Sequence, residues 1–168
     1  MSELSLYNEQ QRQAVVARAI EAVQARIVGH NTVTLGDGNA AQIFDLVIGG
    51  CCERFVRQVF ETALGLPPFS WWDDSQTAHD GLTKLAARGY EIAADANNLQ
   101  AGDILGFAGD PGHILIYLHT AFDASKNLCA ENTSGVRGYP SAPGTKVTAL
   151  ADVLAAHGGE FRAFRLFG

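Results

Sequence analysis

The chain has 168 residues, 47% of them hydrophobic and 18% charged, which fits one globular domain able to bury a core without staples. A formal charge of −6 and a pI near 5.2 weigh against nucleic acid as the main partner, and against docking by charge on an anionic wall or membrane. Three cysteines, two of them adjacent, make no disulfide framework and point to a reducing compartment. Met1-Ser2-Glu3-Leu4-Ser5 carries neither the basic nor the apolar region of a signal peptide, and no apolar run approaches membrane-spanning length. The expectation is a soluble protein, cytoplasmic as synthesised, whose release would need a non-classical route.

In chain order, Asn8 to Ile27 reads as a helix, with Asn8 as its cap, an apolar stripe of Val16, Ile20, Val23 and Ile27, and Gly29 at its end. A short strand over Thr32 to Leu35 and a Gly36-Asp37-Gly38 turn follow. Next comes Gly49-Gly50-Cys51-Cys52, opening a helix that stops near Gly65, before Pro67-Pro68. Phe55, Val56, Val59, Phe60, Ala63 and Leu64 line one face of that helix, while Glu53, Arg54, Arg57 and Glu61 fall largely on the other. Trp71 and Trp72 lie in a loop and can wall a groove or pack in the core. Asp73, Asp74 or Ser75 caps a third helix running to Arg88, with Gly89 beyond it.

From there the period becomes extended. Asp103 to Phe107 reads as a strand, then a turn at Gly109 to Gly112, then a β-rich run from His113 to His119. On that run His113, Leu115, Tyr117 and His119 share one face, and Ile114, Ile116 and Leu118 the other. Asn127 to Glu131 gives another strand and Gly135 to Gly144 a loop. Thr148 to His157 reads as a helix closed by Gly158, and Phe161 to Leu166 as the last strand. Helices first and antiparallel strands later indicate an α+β fold, with no repeat or dividing linker.

Thiol catalysis needs an activated cysteine, a base within reach and a polar group to orient the base. The chain offers Cys52, then His113, then Glu131 or Asn132. A cysteine in the first turn of a helix meets the positive end of the dipole and free backbone N–H groups, both of which favour thiolate. The N–H of the nucleophile can contribute to an oxyanion hole. Strand alternation lets only one of Glu131 and Asn132 face His113, with the preference on Glu131. Cys129 reads as a core residue and His119 as exposed. No cofactor is expected, and no metal, because neither a Cys-x-x-Cys nor a His-x-x-x-His spacing is present.

Cys51-Cys52-Glu53-Arg54-Phe55-Val56 resembles the Asp-Cys-Ser-Gly-Phe-Val stretch of the NlpC-type cell-wall cysteine peptidases and their CHAP amidohydrolase relatives. Leu99 to Phe107 is similar to their Pro-Gly-Asp-Leu-Val-Phe-Phe strand, His113 to Leu118 to their histidine strand, and Phe161 to Leu166 to their last strand. The likeness covers Gly49 to Leu166. It implies a papain-like fold in a single domain of residues 1–168, with 1–48 a helical extension and 49–168 the catalytic core. It also implies amide hydrolysis by Cys52 and His113 with a polar third member, CHAP-type enzymes placing Glu and Asn near this point. The implied substrate is a peptide, in particular a peptidoglycan stem or crosslink. The sequence departs from the pattern where Cys51 replaces the acidic residue, where Glu53-Arg54 replaces Ser-Gly, and where no Tyr-x-x-Gly-Gly segment precedes the cysteines.

Those departures motivate a rival reading, a catalytically silent domain of the same fold that binds a peptide or a partner protein. A redox sensor built on Cys51 and Cys52 is a third.

Overall fold

The computed structural model describes residues 7–34, 42–66, 77–108, 112–119, 127–134 and 143–168. The Gly36-Asp37-Gly38 turn, the tryptophan pair and the candidate caps Asp73, Asp74 and Ser75 lie outside them.

The fold is mixed α+β. Helix α1 (Glu9–Ile27) is capped by Asn8, whose side chain accepts from the Gln11 N–H at 2.9 Å while Gln11 reaches back to the Asn8 N–H. Strands β1 (Thr32–Thr34) and β2 (Gln42–Phe44) form a small antiparallel ribbon. Helix α2 (Cys52–Leu64) ends at Gly65 in the left-handed conformation. Helix α3 (Ala78–Ala87) is followed by β3 (Glu91–Ile92), a 3-10 turn at Ala96–Asn98, β4 (Ile104–Phe107), β5 (His113–Tyr117), β6 (Leu128–Thr133), β7 (Gly144–Ala149), α4 (Leu150–Ala156) and β8 (Arg162–Phe164). The main sheet has six antiparallel strands in the order β3-β8-β4-β5-β6-β7.

Alternation along the central strands separates two cores. Ile104, Ile114, Ile116, Ala130 and Phe164 pack with Val15, Val23, Phe55, Val59, Phe60 and Leu82 of the first three helices. Leu105, Phe107, Leu115, Tyr117, Cys129 and Ala163 meet Leu150 and Val153 of α4. Helix α1 therefore shares a core with the sheet. Its foot is tied to the chain end, where the Tyr7 N–H donates to the Leu166 carbonyl and the Gly168 N–H to that of Tyr7.

Several expectations are corrected. The buried side of α1 is Val15, Ala19, Ala22 and Val23, whereas Ile20 and Ile27 are exposed. Small alanines share the buried side with Val23, and of the expected stripe only Ile20 and Ile27 turn outward. The segment read as a helix from Thr148 begins as β7, because the β-branched residues Thr145, Val147 and Thr148 pair in continuous register with β6 before α4 starts at Leu150. The cap of α3 is Thr77, whose hydroxyl accepts from the Asp80 N–H at 3.1 Å.

The charged side of α2 is corrected most. Glu53, Arg57 and Glu61 are buried, at 4%, 3% and 4% exposure. α2 is enclosed by α1, α3 and the sheet, so most of its charged side is turned away from solvent, while Arg54 stays part-exposed. The i, i+4 spacing instead places Arg57 between the two carboxylates, at 2.9 Å from Glu53 and 3.2 Å from Glu61. Removing one partner of such a group leaves uncompensated buried charge. Arg57→Ala is therefore expected to lower unfolding free energy by about 3–5 kcal/mol, read as a shifted midpoint in urea denaturation.

Candidate active site

The loop into α2 is shaped by backbone requirements just before the cysteines. Gly50 has φ +83°, a left-handed conformation suited to glycine. A Cβ on Gly49 would run into the Thr133 carbonyl and stand 2.7 Å from Pro143 Cβ and 2.8 Å from Ser134 Cα. Only glycine lets this strand of chain lie so close to the end of β6. Asp45 also takes a left-handed conformation, φ +60°, and its carboxylate pairs with Arg54 on α2.

Asn132 binds this loop together. Its Oδ1 accepts from the Cys51 N–H at 2.8 Å, and its Nδ2 donates to the Ile48 carbonyl at 2.8 Å and the Asp45 carbonyl at 3.3 Å. A further contact to Thr145 Oγ1 at 3.2 Å anchors the amide to β7. Asn132 thus positions the segment that delivers Cys52, and its amide is engaged away from His113.

Glu131, one residue earlier, points to the opposite face of the strand. Its Oε1 lies 2.6 Å from His113 Nε2, with Glu131 fully buried and His113 5% exposed. His113 is the first residue of β5, so its ring stands at the end of the strand. There it meets Cys52, the first residue of α2, which is within hydrogen-bonding reach of the imidazole. Nε2 is committed to Glu131, which leaves Nδ1 for the sulfur. Cys52, His113 and Glu131 are brought together, and Asn132 is not part of that line.

Burial alone would discharge the His113 ring, but the hydrogen bonds and charges of Cys52 and Glu131 outweigh it and raise its pKa from 6.5 to about 9. The two partners thus favour the protonated ring well above the ordinary histidine range. Cys51 takes the cap position of α2 without a side-chain hydrogen bond to the helix, and burial pushes its thiol pKa up. Burial pushes Cys129 up strongly as well, and its side chain packs in the α4 core. His119 is exposed, with its Nδ1 3.3 Å from the Tyr117 hydroxyl.

One neighbour of the site was not legible from sequence. The His157 ring, at the end of α4, stacks on His113 with centroids 4.8 Å apart and planes 7° from parallel. No spacing links the two histidines; only the return of α4 over the sheet does so. Lys146 stands directly opposite Glu131 in the β6–β7 register, a placement that only the pairing of β7 supplies.

Among the described residues no group of three or more His, Cys, Asp or Glu side chains is placed to hold a metal ion. No described helix is long and apolar enough to cross a membrane. Compared with known protein families, the chain matches no family model, and no curated protein matches it.

Two outcomes follow from this geometry. His113 keeps its proton in the folded protein while the unfolded chain releases it near pH 6.5, so its stabilising contribution is complete below about pH 6.5 and is lost as pH rises through about 9. Urea midpoints of the wild type should fall over that interval, and those of Glu131→Gln should fall less. Asn132→Ala should cost about 1–3 kcal/mol by leaving buried loop groups unpaired, and should also slow alkylation of Cys52 by loosening the loop.

Proposed function

We propose that the chain is a papain-like thiol hydrolase that cleaves amide bonds, with Cys52 as nucleophile, His113 as proton shuttle and Glu131 as the group that orients the imidazole. The observation that carries this reading is a single line of side chains. A thiol in the first turn of a helix reaches a ring whose far nitrogen lies 2.6 Å from a buried carboxylate. Each member supplies what the next requires.

In this mechanism the thiolate attacks the amide carbonyl carbon, forming a C–S bond and an oxyanion. The N–H of Cys52, in a helix turn that Cys51 does not cap through its side chain, is the natural donor to that oxyanion. The His113 imidazolium gives its proton to the nitrogen as the C–N bond breaks, leaving a thioester and a neutral ring. Neutral His113 then takes a proton from water as the water oxygen attacks the thioester carbon. Collapse expels the thiolate, restores the imidazolium and releases the acid.

The resemblance to NlpC-type and CHAP enzymes makes a peptidoglycan stem or crosslink amide the proposed substrate. Of the departures from that pattern, Glu53 is turned into the protein and paired with Arg57, and Arg54 with Asp45, so both exchanges are matched by partners within this chain.

Brief iodoacetamide treatment near pH 6 followed by peptide mass spectrometry should label Cys52 in preference to Cys51 and Cys129. His113→Ala should abolish that preference. Muropeptide digestion should then depend on Cys52. Absence of preferential labelling would overturn the hydrolase reading in favour of a silent peptide- or partner-binding domain, and loss of both vicinal thiols under mild oxidant, restored by reductant, would favour the redox pair.

A further inference from the structure

The structure carries a cluster of rings beside the proposed triad that the mechanism above does not use. His157 occupies the C-terminal cap of α4 and is followed by Gly158 and Gly159, both at positive φ, where the helix stops and the chain turns away. Its ring lies over two others, His113 at 4.8 Å and 7° and Phe107 of β4 at 4.6 Å and 25°. Phe107 and His113 themselves are 6.2 Å apart. They are cross-strand partners in the β4–β5 register, so the sheet fixes their separation and α4 lowers a third ring onto both.

The strand fixes the backbone of a histidine but not its two side-chain torsions, the second of which turns the imidazole about its bond to Cβ. The hydrogen bond from Nε2 to Glu131 fixes one direction within the ring plane but leaves the tilt of the plane about that line. A nearly parallel ring stacked on its face removes the tilt. The direction in which Nδ1 points toward Cys52 then depends on two restraints, a carboxylate from β6 and a face contact from α4.

We propose that His157 is a positioning residue, whose ring clamps the plane of His113 so that Nδ1 is held on the Cys52 sulfur. This rests on the reading of Cys52 and His113 as nucleophile and base. His157 acts through His113. A flat ring suffices for the clamp, so phenylalanine should replace it and alanine should not.

The test compares wild type, His157→Ala and His157→Phe in the rate of Cys52 alkylation by iodoacetamide against pH, with the titration of His113 followed by NMR. His157→Ala should alkylate Cys52 roughly two- to ten-fold more slowly, the size expected from losing one stacked aromatic pair. Its His113 midpoint should move below that of the wild type. His157→Phe should keep both properties near the wild type. Alanine at 157 with an unchanged rate and midpoint would overturn the clamp, and so would phenylalanine behaving like alanine. Failure of the underlying site reading would look different, because wild-type Cys52 would then show no reactivity dependent on His113.

Discussion

A carboxylate without exposed surface, Glu131, sits 2.6 Å from the ring of a nearly buried histidine. Neither group is tolerable there alone. An ionised carboxylate out of water requires a cation, and a buried imidazole loses its proton unless anions hold it. The two settle each other's charge, and the contact with Cys52 further favours the protonated ring. Much of the surrounding architecture can be understood as what keeps these three groups in line at the end of a sheet strand.

Strand β6 contributes twice. Adjacent residues on a strand face opposite ways, so Glu131 and Asn132 serve two different partners. Glu131 reaches across to β5 and holds the His113 ring. Asn132 reaches toward α2 and fastens the loop from Asp45 to Cys51 through its amide. One short segment of chain therefore sets both the histidine and the approach to the thiol, and the two are coupled through rigid, hydrogen-bonded sheet. The close passage of Gly49 along the end of β6 belongs to the same arrangement, since any side chain there would push the loop off the strand.

Helix α2 presents a different compromise. Its first residue, Cys52, is half-buried, whereas its body is enclosed on several sides, including much of the side that carries charge. The Glu53–Arg57–Glu61 ladder makes that enclosure tolerable by pairing the charges internally at helical spacing. The helix is consequently held as a rigid post, and Cys52 stands at its head.

The sequence by itself determined whatever rests on interactions within a few residues. The span of α1 follows from the Asn8–Gln11 capping box, and the end of α2 from Gly65. The order Cys52, His113, Glu131 and the two faces of β5 are also local facts, set by spacing and by the period of a strand. Tertiary structure decided the rest. The β-branched residues Thr145, Val147 and Thr148 lean toward strand only weakly beside the helix that follows, and pairing with β6 makes the choice. The outward face of α2 became an inward one because neighbouring elements cover it. The choice between Glu131 and Asn132 depended on which face of β6 looks toward β5. The stacking of His157 on His113 exists only because α4 folds back over the sheet. Periodicity and capping act along the chain over a turn or two, whereas burial, pairing and ring contact are set by residues far away in sequence, whose approach no local pattern records.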